Sequence, residues 1–212
     1  GRRGRRWESP PGAGLYYTLA LEVDRDTQNI AALSLVTALS VCSALETLGV
    51  NNLELKWPND LLGNARKLSG ILLESLKVGD RLYVAIGVGV NLNLPDSIKC
   101  DIGQPVTDVK ELRGVDFEVD RVAASITVEL LANINRFGEN GFSDFVADWN
   151  DRDGYLGKQV RVQMNGTVSQ GEMQGVNALG QLRLRTESGE KVISTGEIMP
   201  SISLIASDEA MK

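Results

Sequence analysis

Hydrophobic residues recur along this chain with two different periods, and the change from one to the other divides it. Leu15 to Val23, LYYTLALEV, is apolar and aromatic and predicts a strand. After a polar stretch, Asn29 is positioned to cap a helix that stops at Gly49. LELKW predicts a short strand ended by Pro58-Asn59-Asp60. From Lys67, KLSGILLESLK turns at VGD and returns as RLYVAIGVGVNLNL, the pattern of a long antiparallel hairpin. Residues 95–115 lack periodicity and predict loops around one short element.

Helical spacing returns at Val122, Ile126, Leu130, Ile134 and Phe137, with Asp120 as the expected N-cap. A shorter helix anchored by Phe145 and Trp149 follows, closed by Gly154. Beyond Tyr155 the chain alternates in short runs between glycine turns, which predicts five strands in a small barrel. The expected fold is therefore α+β: a mixed, mostly antiparallel sheet with helices on one face, then a small β-barrel. The boundary is expected near Gly154, giving units of 1–154 and 155–207.

The apolar segment NIAALSLVTALSVCSALETLG is broken by Ser34, Thr37, Ser40 and Ser43, so it reads as a buried amphipathic helix rather than a membrane span. No membrane association and a cytoplasmic location are expected. Cys42 and Cys100 have neither metal-ligand spacing nor a shared context, and a disulfide between them is not expected.

Composition narrows the chemistry. The chain has 212 residues and no histidine, which excludes Ser-His and Cys-His nucleophile pairs and His-containing zinc sites. Its net charge of -6 hides a basic start: GRRGRR holds four arginines, leaving 18 of the 22 basic residues against 28 acidic ones. An acidic body with one basic cluster argues against a general nucleic-acid surface and for a local anion site. The arginines read either as a solvated arm or as a phosphate loop made with the backbone of Gly1 and Gly4. Lys56 and Lys67 read either as snorkelling strand ends or as cations converging on one edge of the sheet. Gly87 and Gly89, inside a β-branched strand, permit either close packing or the close approach of a ligand.

GRRGRRW, SPPGAGLYYTL, KWPNDL, RKLSGIL and IGVGVNLN, in this order and spacing, resemble the catalytic domain of biotin protein ligases, and the tail resembles the SH3-like barrel of bacterial members. The resemblance implies that biotin and Mg2+-ATP form biotinyl-5'-AMP, from which biotin passes to a lysine of a biotin carboxyl carrier protein of a carboxylase. It implies Lys67 as the residue contacting the biotin carboxylate and the adenylate phosphate. Gly1, Arg2 and Arg3 match part of a loop folding over the adenylate, and Trp7 an aromatic residue near it. Lys56, Asn59 and Asp60 match the signature itself, with Lys56 and Asp60 as further catalytic candidates and Asp60 positioning metal or the incoming lysine. Gly70, Ile71, Gly87, Gly89 and Asn91 match the floor of the biotin and nucleotide site.

Some members dimerise through the sheet, so a homodimer is implied as well. Family members hold the biotin rings with a Ser-Thr-Asn group and a Gln upstream of the arginine loop, and some carry a winged-helix repressor domain. The sequence from Gly1 contains neither, which leads to the expectation of a fragment of a longer enzyme that binds no nucleic acid itself. Two alternatives stand beside this reading: a lipoate or octanoyl ligase, and a non-catalytic ligand-binding relative.

Overall fold

The structure, a computed structural model, describes residues 10–23, 29–164 and 166–199. Two five-stranded sheets organise them. In the first, β1 (Gly14–Val23), β2 (Leu53–Lys56), β3 (Asp60–Gly63), β4 (Arg66–Val78) and β5 (Arg81–Asn91) take the spatial order β1-β5-β4-β3-β2. Every ladder is antiparallel, and parallel contact is confined to two isolated bridges, Leu55 with Asp153 and Lys67 with Val106. The expected hairpin is β4–β5.

β3 was hidden in the stretch taken only as a turn. Its four residues, DLLG, are all buried, so they show no alternation by which a strand could be read. The turn entering β4 is Asn64-Ala65, both with positive φ, the backbone of a tight two-residue hairpin.

On one face of this sheet lie α1 (Leu33–Thr47), entered through a 3-10 turn at Ile30–Ala32, and α4 (Val119–Asn140). α1 is buried nearly all round rather than amphipathic: twelve of its residues are buried, including Ser34, Thr37 and Ser40. Their hydroxyls are satisfied locally, Thr37 Oγ1 donating to Leu33 O at 2.6 Å and Ser40 Oγ to Val36 O at 2.9 Å. Asn133 of α4 donates to Ser40 Oγ at 3.0 Å, joining the helices by a buried polar contact. The segment Ile30–Thr47 is long and apolar enough to cross a membrane, and 72 % of it is packed inside the fold.

Two expected caps differ. Asn29 sits in the left-handed region and makes no cap hydrogen bond. Asp120 lies inside the first turn of α4, whose N-cap position is Glu118. The middle segment forms two short helices, α2 (Asp96–Asp101) and α3 (Val109–Arg113), the second capped by Asp108 accepting from Glu111 N.

A 3-10 turn at Phe142–Phe145 and α5 (Val146–Arg152) lead to the second sheet, with Trp149 fully buried. There β6 (Gln159–Met164), β7 (Thr167–Val176), β8 (Leu182–Thr186), β9 (Gly189–Ile193) and β10 (Glu197–Ile198) take the order β10-β6-β7-β8-β9. One apolar cluster runs from α1 and the first sheet through Leu55 and Trp149 to Val160, Met173 and Leu184 of the second. The two sheets thus share a core, with Gly154 N donating to Leu55 O at 3.0 Å where the chain crosses. Cys42 and Cys100 are free thiols, and burial first of all pushes the Cys42 thiol up to about 12.

Candidate functional site

Register on the open face of the first sheet explains how a ligand could lie there. Lys56, Asp60, Gly70, Gly89 and Tyr16 occupy one row across five strands, because Lys56 pairs with Asp60, Asp60 with Gly70, Gly70 with Gly89 and Gly89 with Tyr16. Thr18, Gly87 and Leu72 form the next row. The middle of both rows lacks side chains, so a trough runs between the charged residues and Tyr16. It is part of a cleft of about 880 Å³.

Lys67 reaches this trough through a backbone irregularity. It lies three positions before Gly70, an offset that in a regular strand would send the two to opposite faces. The register slips between Leu61 and Leu62, so that Ser69 faces Leu61 while Lys67 faces Leu62. That bulge turns Lys67 onto the face of Gly70 and Asp60. Lys67 Nζ lies 2.7 Å from Asp60 Oδ1, both side chains being mostly buried. The two form an ion pair held by charge and proximity.

The backbone around Lys67 is clamped. Lys67 N donates to Pro105 O and Thr107 N to Lys67 O, each at 3.0 Å. Asn91, 4 % exposed, donates its amide to Thr107 O at 3.0 Å and to Lys67 O at 3.4 Å. Asn59 does the same for the neighbouring segment, its amide donating to Ile71 O at 2.7 Å while Ile71 N donates to Asn59 O at 2.9 Å. Both asparagines line the cleft, yet their amide donors hold protein backbone. Ile71 is buried in the core and also borders the cleft.

The segment Asp101–Val106 borders the cleft beside Lys67 and is tied down by ion pairs. Lys99 Nζ lies 2.7 Å from Asp108 and 2.9 Å from Glu111, and Arg66 is 2.6 Å from Glu111. The Arg66 hydrogen bond, then that of Lys99, holds the Glu111 carboxyl down at about 2.

Among the sequence-derived candidates, Asn59, Asp60, Lys67, Gly70, Ile71, Gly87, Gly89 and Asn91 come together around the cleft. Lys56 ends the row of charged positions but is not part of the cleft wall. Its ammonium stands 5.9 Å from the Tyr155 ring at the junction of the sheets. Gly1, Arg2, Arg3 and Trp7 lie outside the described residues.

Sequence reasoning missed the wall supplied by the second sheet, where Leu179, Gly180, Gln181, Ser194 and Thr195 border the cleft. It also missed Trp57, whose indole donates to Gly180 O at 3.1 Å. A tryptophan inside KWPND was the available signal. Contacts between positions over a hundred apart in sequence leave no local pattern.

With this geometry in view, comparison with known proteins is decisive. Residues 1–91 match the Biotin/lipoate A/B protein ligase family, and residues 155–199 the Biotin protein ligase C terminal domain. The biotin--[acetyl-CoA-carboxylase] ligase of Paracoccus denitrificans is 33 % identical over 205 residues, covering 93 % of this chain and 84 % of that protein. The chain belongs to the biotin protein ligase family.

A second biotin protein ligase, from Aquifex aeolicus and solved in complex with biotin and ATP, superposes with a TM-score of 0.80 at 31 % identity, covering 96 % of this chain and 84 % of that one. The bifunctional ligase/repressor BirA of Escherichia coli is 31 % identical over 199 residues, covering 93 % of this chain. The chain spans 62 % of the length of that BirA protein.

Proposed function

We propose that the chain carries the ligase chemistry of its family: formation of biotinyl-5'-AMP from biotin and ATP, then transfer of biotin to a lysine of a biotin carboxyl carrier protein. The observation that supports this best is the pairing of a cation, Lys67, with a trough whose floor is glycine. In the first step a biotin carboxylate oxygen attacks the α-phosphorus of ATP and the bond to the β-phosphate oxygen breaks, releasing pyrophosphate. Negative charge gathers on the phosphoryl oxygens being rearranged. A fixed ammonium beside them stabilises that charge more than it stabilises the separated substrates. In the second step the acceptor amine attacks the biotinyl carbonyl, and AMP leaves with its electron pair.

The residues take these roles in our reading. Lys67 neutralises the reacting carboxylate and phosphate. Asp60 keeps the Lys67 ammonium over the trough and is the carboxylate positioned beside the incoming amine. Gly70, Gly87 and Gly89 leave room for the ligand, while Asn59 and Asn91 fix the strands that carry Lys67. Lys56 supports the site through the strand pairing that fixes Asp60. Mg2+ would supply charge neutralisation on the phosphates of ATP. Asp60, a carboxylate of the cleft, would help hold it.

Residues 1–154 and 155–207 are taken as the catalytic and SH3-like units, a division supported by the family match to residues 155–199. Because the reaction consumes ATP, we assign the protein to the cytoplasm.

Biotin-dependent exchange of labelled pyrophosphate into ATP tests the first step, with lipoate as the control acid. Exchange with biotin and none with lipoate is the expected result. Exchange with lipoate alone would transfer the chain to the lipoate branch of the family, and no exchange with either acid would leave it a ligand-binding relative.

A further inference from the structure

Lys67 stands where the sheet itself holds it least. The β4–β5 ladder begins at Ser69, which pairs with Val90, so Lys67 lies just beyond it. On its other side the register slips between Leu61 and Leu62. The edge that β5 leaves open is taken by residues 105–107. There Lys67 forms a parallel bridge with Val106, its N–H donating to Pro105 O and its carbonyl accepting from Thr107 N, each at 3.0 Å. Whatever fixes this short segment therefore fixes the backbone from which the Lys67 ammonium is aimed.

The carboxylate of Glu111, on α3, closes a bracket around that bridge. Its Oε1 lies 2.6 Å from Nη2 of Arg66, the residue before Lys67. Its Oε2 accepts from Thr107 Oγ1 at 3.2 Å, on the residue that binds the Lys67 carbonyl, and from Lys99 Nζ at 2.9 Å. Thr107 is fully buried, which leaves its hydroxyl no solvent to turn to. Glu111 is fixed in its turn: its N–H donates to Asp108 Oδ1 at 2.8 Å, and Asp108 Oδ2 accepts from Leu94 N at 3.1 Å. Glu111 lies outside the cleft wall, so any effect it has on a substrate passes through the residues it holds.

We infer that Glu111 is a positioning residue for the ligation chemistry: by joining Arg66 to Thr107 it fixes the backbone of Lys67, and with it the aim of the Lys67 ammonium over the glycine trough. The role rests on the proposed function of Lys67 as the cation at the reacting centre, and it adds the group that holds that cation in line. A cation stabilises charge developing on phosphoryl oxygens best when it needs no rearrangement at the moment of reaction. A lysine free to sample several positions keeps its charge but loses part of that advantage.

Glu111→Gln keeps the length of the side chain and removes the charge that binds Arg66 and Lys99; Thr107→Val keeps the shape of the buried side chain and deletes the hydroxyl. Glu111→Gln is expected to lower kcat for biotin-dependent pyrophosphate exchange about 5- to 10-fold, with the KM for biotin and for ATP within about 2-fold of wild type. Thr107→Val should act in the same direction, and it carries the comparison if Glu111→Gln does not fold. In a Lys67→Ala background Glu111→Gln should cost almost nothing more, because the group it positions is gone. Trace acetylation with acetic anhydride, read by mass spectrometry of lysine peptides, follows Lys67 without turnover. Labelling of Lys67 should rise several-fold in Glu111→Gln, with Lys56 and Lys158 unchanged. Wild-type exchange with an unaltered kcat in the variants overturns the inference and leaves the proposed function standing, even if they melt at lower temperature. An equal loss with and without Lys67 does the same. Absent wild-type exchange defeats the proposed function, and the labelling then decides: equal reactivity of Lys67 in wild type and variants overturns the inference.

Discussion

Lys67 Nζ stands 2.7 Å from Asp60 Oδ1 on the open face of the first sheet, and a strand bulge is what brings the two to the same side. The pair has two consequences. The carboxylate offsets part of the desolvation cost of a mostly buried ammonium, and it aims that ammonium over the glycine trough. A substrate carboxylate or phosphate entering the trough would meet a cation already held in line.

Removing that cation should therefore act on the reaction rather than on the fold. Lys67→Ala is expected to lower the rate of biotin-dependent pyrophosphate exchange on the order of 10²-fold or more, as for a lost donor to a developing oxyanion. Lys67→Arg keeps the charge but changes its reach and shape, so it should recover only part of the rate. Steady-state exchange kinetics on folded variants check this. A full rate in Lys67→Ala would remove the lysine from the reacting centre.

The glycine trough yields a second test, because space in the fold and space for the ligand can be separated there. A Cβ built at Gly87 would lie 3.4 Å from Leu72 O and 3.7 Å from Leu72 Cβ, ordinary contact distances. Gly87→Ala should thus leave thermal stability within about 0.5 kcal/mol of the parent, since a strand accepts alanine no worse than glycine. The methyl group would point with Thr18 and Leu72 onto the open face, where it should raise the KM for biotin. Gly87→Val should raise it further. A large loss of stability with unchanged KM would show that the glycine serves packing alone.

How far the sequence foretold this arrangement depended on range. The β4–β5 hairpin and α4 were legible because alternation and helical spacing persist over many residues. Asp60, Gly70 and Gly89 could be suspected from KWPND and IGVGVN, but their common row follows from pairings between strands, which no local pattern encodes. β3 escaped because four uniformly buried residues have no period. Asn29 misled in an instructive way: it looked like a helix cap, and its amide instead bonds Leu179 O in the turn between β7 and β8. The asparagines at 59 and 91 were read as ligand contacts, although their amide donors hold Ile71, Lys67 and Thr107 in place.

The ion pairs of Arg66, Lys99 and Glu111 hold the segment beside Lys67, and their contribution should depend on pH. A carboxyl held down at about 2 contributes stability that is present above the ordinary value of 4.5 and is lost as pH falls toward 2. Glu111 is 37 % exposed at its side chain, so screening limits the effect. Glu111→Gln is expected to cost about 1 kcal/mol near pH 7 at low salt, less at high salt, and under half as much near pH 3, where the native carboxyl is still mostly ionised. Urea titrations at the two pH values and two salt concentrations measure it. A cost that is the same at pH 3 and pH 7 would mean that the charge is not what Glu111 contributes.

Asp153 presents the opposite sign at the junction of the two sheets. Burial first of all pushes its carboxyl up to about 6 from an ordinary 3.8; Tyr155 N and the Lys158 charge oppose the shift, and Glu54 adds to it. Oδ1 accepts from Tyr155 N at 2.9 Å, whereas Oδ2 is buried with no hydrogen-bond partner. Between pH 4 and 6 the native state holds more protons than the unfolded chain, so stability falls as pH rises through that window. The penalty is complete above pH 6 and amounts to about 3 kcal/mol from a shift of roughly two pH units. Asp153→Asn keeps an oxygen for Tyr155 N and removes the charge. It should be more stable than the parent at pH 8, by up to about 3 kcal/mol, and equal to it near pH 4. Denaturant midpoints across pH 4 to 8, with unchanged slopes, would establish this. A variant less stable than the parent at pH 8 would show that the junction uses the charged carboxylate, with Lys158 as the partner that makes it worthwhile.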